Sequence, residues 1–370
     1  MIGMHSSHSF RKRIAANRAV RATRRCASVV VATATALTAT ALTATAFTAT
    51  ALSAQATAPV TGRAAQGTVR TDTLWSQSLG IRKAVRVYLP PSYAMNPQKK
   101  YPVLFYLHGL GGDERNWTEA GRLHLVMDSM VAAGQPEAII AMPDGDDGWW
   151  TTANMFADLP ACRADTARRE PEASYCVPWL HYDDYVAHDL VAYVDRTYRT
   201  LKSRGGRGIA GLSMGGYGAI TLALAYPDVF AAAASHSGVL SPMYLGPHPF
   251  AEPSVYAQDS IGLRRAAGSL WRTQRIAFGL DTLGWQARDP VRFARQAVAR
   301  HGAPMPFLRF DCGVNDPYID QNRALHATLT ALGVSHEYAE WPGVHDWNYW
   351  RTHLPESLEF LLARVQYGPP

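Results

Sequence analysis

The feature that most constrains the fold is a segment in which an apolar run, a glycine-flanked serine and a second apolar run follow each other. Its centre, residues 211–216, reads Gly-Leu-Ser-Met-Gly-Gly and fits the pattern Gly-x-Ser-x-Gly. Residues 207–210 favour a buried strand, and residues 218–225 favour a helix that ends before Pro227. A strand that turns sharply into a helix here leaves the serine hydroxyl exposed at the apex. Ser213 is therefore the candidate nucleophile, and the alternative is a structural glycine-rich turn.

Two further polar residues follow predicted strands, and a serine nucleophile requires both a base and a group that orients the base. Residues 306–311 read as a strand, and Asp316 lies in the loop after it. Residues 336–341 alternate like a strand, and His345 lies in the loop that follows. Open α/β sheets gather catalytic groups at the carboxyl ends of their strands. The order Ser213, Asp316, His345 thus predicts a catalytic triad at one edge of the sheet.

Other residues compete for the roles of acid and base. Asp311 is an alternative orienting acid, although it directly ends a strand. His336 opens a strand and is expected to be solvated, and His353 is expected on the surface of a helix. His236 follows another predicted strand, where it would line the pocket or, as we favour, be a hydrogen-bonded core residue. Asp346 adjoins the candidate base, but adjacent side chains of an extended segment point apart.

A glycine-rich loop after another predicted strand supplies the remaining part of such a site. Residues 101–107 read as a buried strand and run into His108, which is followed by Gly-Leu-Gly-Gly. Glycines let a backbone amide approach a reacting carbonyl, where it stabilises the oxyanion of the transition state. We expect the amides of Leu110 and Met214, the residue after Ser213, to form this oxyanion hole. His108 is expected to order its own loop.

Six segments together resemble the esterase D and antigen 85 group of α/β-hydrolases, which includes bacterial feruloyl and acetyl-xylan esterases. The resemblance extends over roughly residues 75–362. The matching segments are LHGLGG at 107–112, PDG at 143–145, YDDY at 182–185, GLSMGGYGA at 211–219, CGVNDPY at 312–318 and GVHDWNYW at 343–350.

The resemblance implies an α/β-hydrolase fold and a serine carboxylic-ester hydrolase activity, without a metal or another cofactor. By motif match it assigns Ser213, Asp316 and His345 as the triad and Leu110 and Met214 as the oxyanion pair. The expected substrates are small-molecule esters or acyl and feruloyl esters of carbohydrates. Two alternatives stay open: an acyltransferase of the antigen 85 type, and a non-catalytic cell-envelope binding protein.

Alternating strand and helix signals predict a single catalytic domain over residues 71–370, with a mostly parallel central sheet covered by helices on both faces. Two insertions, near residues 148–179 and 241–289, lack this alternation, and we expect them to overhang Ser213 and form the substrate pocket. The predicted strands are 85–89, 103–107, 138–142, 207–212, 230–235, 307–311 and 336–341, and the predicted helices include 185–198 and 321–332.

Several tryptophans are candidates for the wall of this pocket. They lie in the first insertion or beside the candidate base, where an indole would accept an aryl or sugar group. The competing interpretation is aromatic packing beneath the long loops. The candidates are Trp149, Trp150, Trp179 and Trp347.

The first 56 residues differ in composition from the rest. They carry seven Arg or Lys and no Asp or Glu, and residues 27–56 are uncharged and rich in Ala and Thr. This composition predicts an export signal of the Sec or, with Arg24-Arg25, the twin-arginine type, followed by a flexible leader over residues 57–70. We therefore expect a secreted protein with no stable membrane association after cleavage. The remaining chain has 29 basic and 30 acidic residues, which gives no reason to infer a nucleic-acid partner.

The cysteines are consistent with export. Cys26 would leave with the signal, whereas Cys162 and Cys176 bracket a polar, arginine-rich loop of the first insertion. We expect a disulfide between them, because such bonds persist in oxidising compartments. Cys312 would then be an unpaired, small buried residue.

Overall fold

One large sheet organises the molecule. The computed structural model describes residues 66–153, 159–164, 176–300, 302 and 304–368. Eight strands of these residues form the large sheet in the order β1-β2-β4-β3-β5-β6-β9-β10. The pairs β1–β2 and β2–β4 are antiparallel and the others are parallel, which confirms the mostly parallel α/β sheet. The strands are β1 (Thr68–Ser76), β2 (Ile81–Leu89), β3 (Val103–Leu107), β4 (Ile139–Pro143), β5 (Arg207–Leu212), β6 (Ala232–His236), β9 (Phe307–Gly313) and β10 (His336–Trp341), and β7 (Tyr244–Gly246) pairs with β8 (Val255–Tyr256) in a separate hairpin.

Helices are present on both sides of the sheet. The α-helices are α1 (Asn116–Glu119), α2 (Leu123–Ala132), α3 (Leu159–Ala164), α4 (Tyr182–Asp184), α5 (Val191–Thr197), α6 (Met214–Ala225), α7 (Ser260–Ala267), α8 (Trp271–Phe278), α9 (Thr282–Gln286), α10 (Pro290–Ala299), α11 (Ile319–Ala331) and α12 (Trp347–Leu362). A π-helical segment, Tyr185–Leu190, joins α4 to α5, and short 3₁₀ turns lie at Pro91–Tyr93, Arg204–Gly206 and Gly268–Leu270.

The central strands β3 to β6 are buried along their whole length, as expected for a parallel sheet that is covered on both faces. Alternate residues of β3 enter two different core clusters. Phe105 packs in the cluster that includes α6 and α11, and Tyr106 packs in the cluster that includes α2 and α12. The continuous apolar runs of the sequence therefore mark the centre of the sheet.

The first strand was not predicted from the sequence. Its first four residues are exposed, and Leu74 is the only apolar residue among its three buried ones, so β1 lacks the apolar run of a central strand. Because β1 begins at Thr68, the leader expected over residues 57–70 is wrong in its last three positions. The predicted export signal, residues 1–56, lies outside the described residues. Residues Thr61–Pro370 form one compact unit that contains every described helix and strand.

The two insertions differ in how much structure they carry. The second, residues 241–289, contains the β7–β8 hairpin and helices α7 to α9. The first, residues 148–179, is described only in part and holds the disulfide predicted between Cys162 and Cys176. Cys312 is a buried free thiol. Within the described ranges, no helix combines the length and the apolarity needed to cross a membrane.

Candidate active site

Ser213 lies at the turn between β5 and α6. Its backbone adopts a φ of 54°, and its N–H donates a 2.9 Å hydrogen bond to the carbonyl of His236. The chain crosses itself tightly here, because a Cβ on Gly211 would lie 2.3 Å from the carbonyl oxygen of Gly215. Glycine at these two positions is therefore a steric requirement of the turn. Ser213 is left 8% exposed at the carboxyl end of the sheet.

Three side chains from separate loops form one hydrogen-bonded chain. The Oγ of Ser213 lies 3.0 Å from Nε2 of His345, and Nδ1 of His345 lies 2.8 Å from Oδ2 of Asp316. A carboxylate only accepts hydrogen bonds, so Nδ1 carries the proton and Nε2 accepts from the serine hydroxyl. The structure thus brings together the three residues that the sequence singled out as nucleophile, base and orienting acid.

The acid and the base are held by their own surroundings. Asp316 is 2% exposed, and its Oδ1 accepts a 2.8 Å hydrogen bond from the N–H of Tyr318. The imidazole of His345 lies between the rings of Tyr318 and Trp350, with ring centroids at 4.9 Å and 5.0 Å, both edge-to-face. These contacts fix the ring and leave the His345 side chain 23% exposed.

The glycine-rich loop after β3 lies against the nucleophile. A Cβ on Gly109 would be 3.5 Å from the Cβ of Ser213. Among the described residues, the N–H groups of Leu110 and Met214 donate no hydrogen bond within the protein. Met214 is the first residue of helix α6, and the first amides of a helix have no acceptor within that helix. The next amide, that of Gly111, is by contrast satisfied by Asp147 at 2.8 Å. Two amide donors are therefore available beside the serine.

His108 fixes the shape of this loop. Its Nδ1 lies 2.8 Å from the carbonyl oxygen of Gly109, and its Nε2 accepts a 2.9 Å hydrogen bond from the N–H of Gly145. Burial lowers the pKa of His108, so the neutral ring, with the proton on Nδ1, matches both partners. His108 orders its own loop, as expected, and also links it to the segment after β4.

A buried ion cluster behind this loop was not found by sequence reasoning. The ammonium of Lys83 in β2 is completely buried and lies 2.5 Å from Asp144 and 2.9 Å from Asp146. Burial alone would lower the pKa of Lys83, but Asp146 and Asp144 outweigh that effect and raise it. Tyr182 donates a further 2.7 Å hydrogen bond to Asp146. The cluster therefore fixes the segment around Gly145, whose N–H donates the hydrogen bond to His108.

The competing acid belongs to a different network. The Nδ1 of His236 lies 3.1 Å and 2.9 Å from the two carboxylate oxygens of Asp311, and the phenol of Tyr349 donates to the same carboxylate at 2.9 Å. All three side chains are buried. Asp311 therefore orients His236 and not His345, and His236 is the hydrogen-bonded core residue that we favoured.

The remaining alternatives lie away from Ser213 or have structural roles. His336 is half-buried, with Nε2 2.8 Å from Nδ1 of His326. The expectation of a surface position for His353 is wrong, because the ring is buried and stacks on Trp341 with 5.4 Å between centroids. Asp346 caps helix α12 by accepting from the N–H of Tyr349 at 2.9 Å.

Two of the predicted pocket tryptophans are core residues. Trp149 and Trp150 have no exposed surface, so they do not line an open pocket and that prediction is wrong for both. Both have positive φ, and the chain turns inward so that the Trp150 ring packs over Gly145 and Gly218. Trp149 packs against Phe278 of α8, with 5.4 Å between the ring centroids.

The other two tryptophans keep exposed surface. Trp179 is 59% exposed and packs over Gly80 at the turn between β1 and β2. Trp347 is half-buried and follows two residues after His345. Its ring contacts Trp350, with 5.2 Å between centroids, and Trp350 in turn contacts the imidazole. Of the four tryptophans predicted from the sequence, Trp347 therefore has the shortest connection to the base, and Trp350, which was not predicted, contacts the base directly.

A model of the family described as "Putative esterase" matches residues 76–361. Esterase Rv1288 of Mycobacterium tuberculosis (strain ATCC 25618 / H37Rv) is 28% identical over 296 residues, which cover 79% of this chain and 58% of the relative. An endo-1,4-beta-xylanase/feruloyl esterase of Xylanibacter ruminicola is 26% identical over 200 residues, which cover 53% of this chain and 24% of the relative. The matched regions thus cover little more than half of the first of these relatives and about a quarter of the second.

A solved structure described as a ferulic acid esterase superposes with a TM-score of 0.59 and 27% identity, over 81% of this chain and 99% of that one. Its fold is that expected from the serine turn and the alternating elements. The family model covers most of the chain, and the solved structure has the same fold, so the expected resemblance is confirmed. The protein belongs to this esterase family of α/β-hydrolases.

Proposed function

We propose that the protein is a secreted serine carboxylic-ester hydrolase that works through an acyl-enzyme. The observation that carries this proposal is the hydrogen-bonded chain from Ser213 through His345 to Asp316. No ester hydrolase of this type can work with the serine alone, because a hydroxyl is a weak nucleophile without an adjacent base. Membership of the esterase family supports the same activity.

In the first half-reaction, Nε2 of His345 accepts the proton of Ser213 as Oγ attacks the ester carbonyl. Asp316 keeps the proton of the imidazole on Nδ1 and stabilises the imidazolium that forms. The amides of Leu110 and Met214 donate to the oxyanion of the tetrahedral intermediate, which stabilises charge that exists only in the transition state.

Collapse of this intermediate releases the alcohol, which takes its proton from His345. Water then attacks the acyl-enzyme, with the same imidazole as general base, and releases the acid. An acyltransferase differs only in the second acceptor, since a sugar hydroxyl would replace the water. The acceptor therefore decides between the two activities.

For the substrate we propose acyl or feruloyl esters of carbohydrates. Two of the similar proteins carry feruloyl or ferulic acid esterase in their descriptions. An aryl or sugar group needs an accessible aromatic or apolar surface near the serine, and Trp347 and Leu110 keep exposed area on the loops of the base and of the oxyanion amides. Export is supported by the composition of residues 1–56 and by the Cys162–Cys176 disulfide.

The experiment is hydrolysis of p-nitrophenyl acetate, butyrate and octanoate and of methyl ferulate by residues 61–370. We expect turnover of at least one ester and a loss of about 10⁶ in kcat for Ser213→Ala. Ser237→Ala is the matched control, because Ser237 is a fully buried serine directly after β6 that takes no part in the hydrogen bonds of the triad, so its substitution should change kcat little. Labelling with a fluorophosphonate should likewise be lost only in Ser213→Ala.

A second assay separates hydrolysis from transfer. With trehalose added, product analysis shows whether the acyl group appears on water or on the sugar. Free acid as the product supports the hydrolase. Acyl-trehalose as the main product would favour the acyltransferase over the hydrolase. If the protein neither reacts with the fluorophosphonate nor turns over any ester, the serine mechanism is contradicted.

A further inference from the structure

Helices α7, α8 and α9 of the second insertion, and the loop between α8 and α9, expose aliphatic side chains that no described residue covers. Their inner sides are buried, with Leu263 of α7 and Phe278 of α8 in the core. On the outer side the exposed fractions are large for apolar residues of a folded domain. They are 71% for Ile261, 41% for Ile276, 53% for Leu280 and 74% for Leu283.

Four arginines lie near two of these aliphatic side chains in the sequence. Arg264 and Arg265 lie three and four residues after Ile261, and Arg272 and Arg275 lie four residues and one residue before Ile276. Positions three or four apart share one side of a helix, as Ile261 does with Arg264 and Arg265 on α7 and as Arg272 does with Ile276 on α8. Arg275 is half-buried next to Ile276, and Leu280 and Leu283 follow in the loop after α8 and in α9. We call these eight residues the outer face; its members are Ile261, Arg264, Arg265, Arg272, Arg275, Ile276, Leu280 and Leu283.

The four arginines have no partner that balances their charge. Across the described part of the chain, none of them forms an ion pair, a hydrogen bond or a cation–π contact. Residues 260–300 contain eight arginines, two aspartates and no lysine or glutamate, whereas residues 57–370 as a whole are close to neutral. Positive charge is therefore concentrated on this insertion.

Helix stability does not account for this arrangement. A cation in the last turn complements the helix dipole, which suits Arg264 and Arg265. Arg272 lies instead in the first turn of α8, where the dipole disfavours a cation. The dipole also gives no reason for four exposed aliphatic side chains.

Contacts connect the outer face to the candidate active site. The indole N–H of Trp149 donates a 3.1 Å hydrogen bond to Thr273 of α8. Two residues earlier, Asp147 accepts from the N–H of Gly111 in the loop of the oxyanion amides. The same loop carries Leu110, which is 37% exposed. Helix α8 is thus tied through one short segment to the loop beside Ser213.

We propose that the outer face docks reversibly on an anionic lipid surface. Exposed aliphatic side chains insert at the boundary between headgroups and acyl chains, and arginines beside them pair with lipid phosphates. An acidic polymer in water would be recognised by the arginines alone and would leave the four aliphatic side chains without a partner. Docking of this kind is peripheral and reversible, so it is compatible with the expectation that the protein has no stable membrane association. It does not depend on the chemistry of Ser213.

The test is sedimentation of residues 61–370, carrying Ser213→Ala to prevent turnover, with vesicles of phosphatidylglycerol and phosphatidylcholine or of phosphatidylcholine alone. We expect binding to the anionic vesicles that weakens at high salt. Arg264→Gln with Arg265→Gln should lower the partition coefficient about 30-fold, at about 1 kcal/mol for each arginine near the surface. Ile261→Ser with Leu283→Ser should lower it at least as much.

The matched control is Leu125→Ser with Lys202→Gln, an exposed aliphatic residue and an exposed cation outside the insertion. It should bind like the parent. Fluorophosphonate labelling of each variant with Ser213 restored, together with thermal melting, establishes that the variants are folded. All substituted side chains are exposed, so folding should be retained.

Three results would overturn the proposal. The first is no binding of the parent to anionic vesicles. The second is equal binding by the aliphatic variant and the parent. The third is a combination of two observations: polyglutamate displaces the parent from vesicles, and the parent and the aliphatic variant bind polyglutamate with equal affinity. That result would make the outer face a site for acidic polymers.

Discussion

The phenol of Tyr349 donates a 2.9 Å hydrogen bond to the carboxylate of Asp311. This bond ties helix α12, which begins two residues after His345, to strand β9. The same carboxylate binds the imidazole of His236, whose carbonyl oxygen accepts from the N–H of Ser213. One buried carboxylate therefore links the chain segments that carry the nucleophile, the acid and the base.

We predict that Tyr349→Phe lowers both stability and activity. The substitution removes a donor and leaves the buried carboxylate of Asp311 with fewer partners, which costs roughly 1–3 kcal/mol. Because the network positions the triad and does not contact the ester, kcat should fall while KM changes little. Urea unfolding and steady-state kinetics measure the two effects.

The control for this substitution is Tyr338→Phe. The phenol of Tyr338 donates to the half-buried Glu340 at 2.8 Å, away from the triad, and its loss should leave kcat near that of the parent. If Tyr349→Phe loses stability with an unchanged kcat, the network supports folding only.

We predict that Asp316→Asn lowers kcat by about 10⁴, the magnitude seen when an orienting aspartate of a Ser-His-Asp triad becomes an amide. An amide in place of the carboxylate favours the tautomer in which Nε2 of His345 carries the proton and no longer accepts from Ser213. KM should change little. Ester hydrolysis at saturating substrate measures the loss.

Asp346→Asn is the matched control, since it changes the residue beside His345 in the same way. Asparagine caps helices about as well as aspartate, so helix α12 should keep its start and kcat should stay within a few-fold of the parent. Equal losses for the two variants would contradict the assignment of Asp316 as the orienting acid.

We predict that Gly215→Ala abolishes most of the activity. A Cβ at this position would lie 2.3 Å and 2.6 Å from the carbonyl oxygens of Leu107 and His108. These are backbone atoms, so relief requires movement of the loop that offers the amide of Leu110. Loss of one oxyanion donor costs about 10²–10³ in kcat. Gly134→Ala meets no atom within 4 Å, and it should change stability through its positive φ but not kcat.

The sequence predicted the central part of this site because its signals are local. Each triad residue follows a predicted strand that is also a strand in the structure, and the parallel strands β5, β6, β9 and β10 of one sheet end at the same edge. The strands 207–212 and 336–341 were predicted with the bounds that the structure has. The Gly-x-Ser-x-Gly pattern and the predicted strands together therefore placed Ser213 and His345.

Partners that lie far apart in sequence could not be predicted in this way. Lys83 reads as a solvent-facing charge in a strand, and its burial becomes possible only through Asp144 and Asp146, some 60 residues later. The inward turn at Trp149 and Trp150 depends on left-handed backbone at both residues, a conformation that tryptophan rarely adopts. Tertiary packing decided these positions, and no local pattern indicates it.

The last prediction concerns Asp289, whose carboxylate caps helix α10 by accepting from the N–H of Val291 at 2.9 Å. Burial raises its pKa to about 6, against the opposing effects of this hydrogen bond and of Arg295. An acid whose pKa is higher in the folded state binds more protons there than in the unfolded state. Between about pH 4 and about pH 6 the free energy of unfolding therefore falls as the pH rises, by on the order of 3 kcal/mol for this group.

Asp289→Asn keeps the cap and removes the charge, so we expect the variant to be more stable than the parent at about pH 8 and no more stable at about pH 4. Urea unfolding at both pH values measures the difference. Asp281→Asn is the control, because Asp281 caps helix α9 in the same way, with a 2.8 Å bond from the N–H of Gly284, but is exposed. Its substitution should give no gain at high pH. A gain for Asp289→Asn that is the same at both pH values would mean that the stabilisation comes from packing and not from removal of a buried charge.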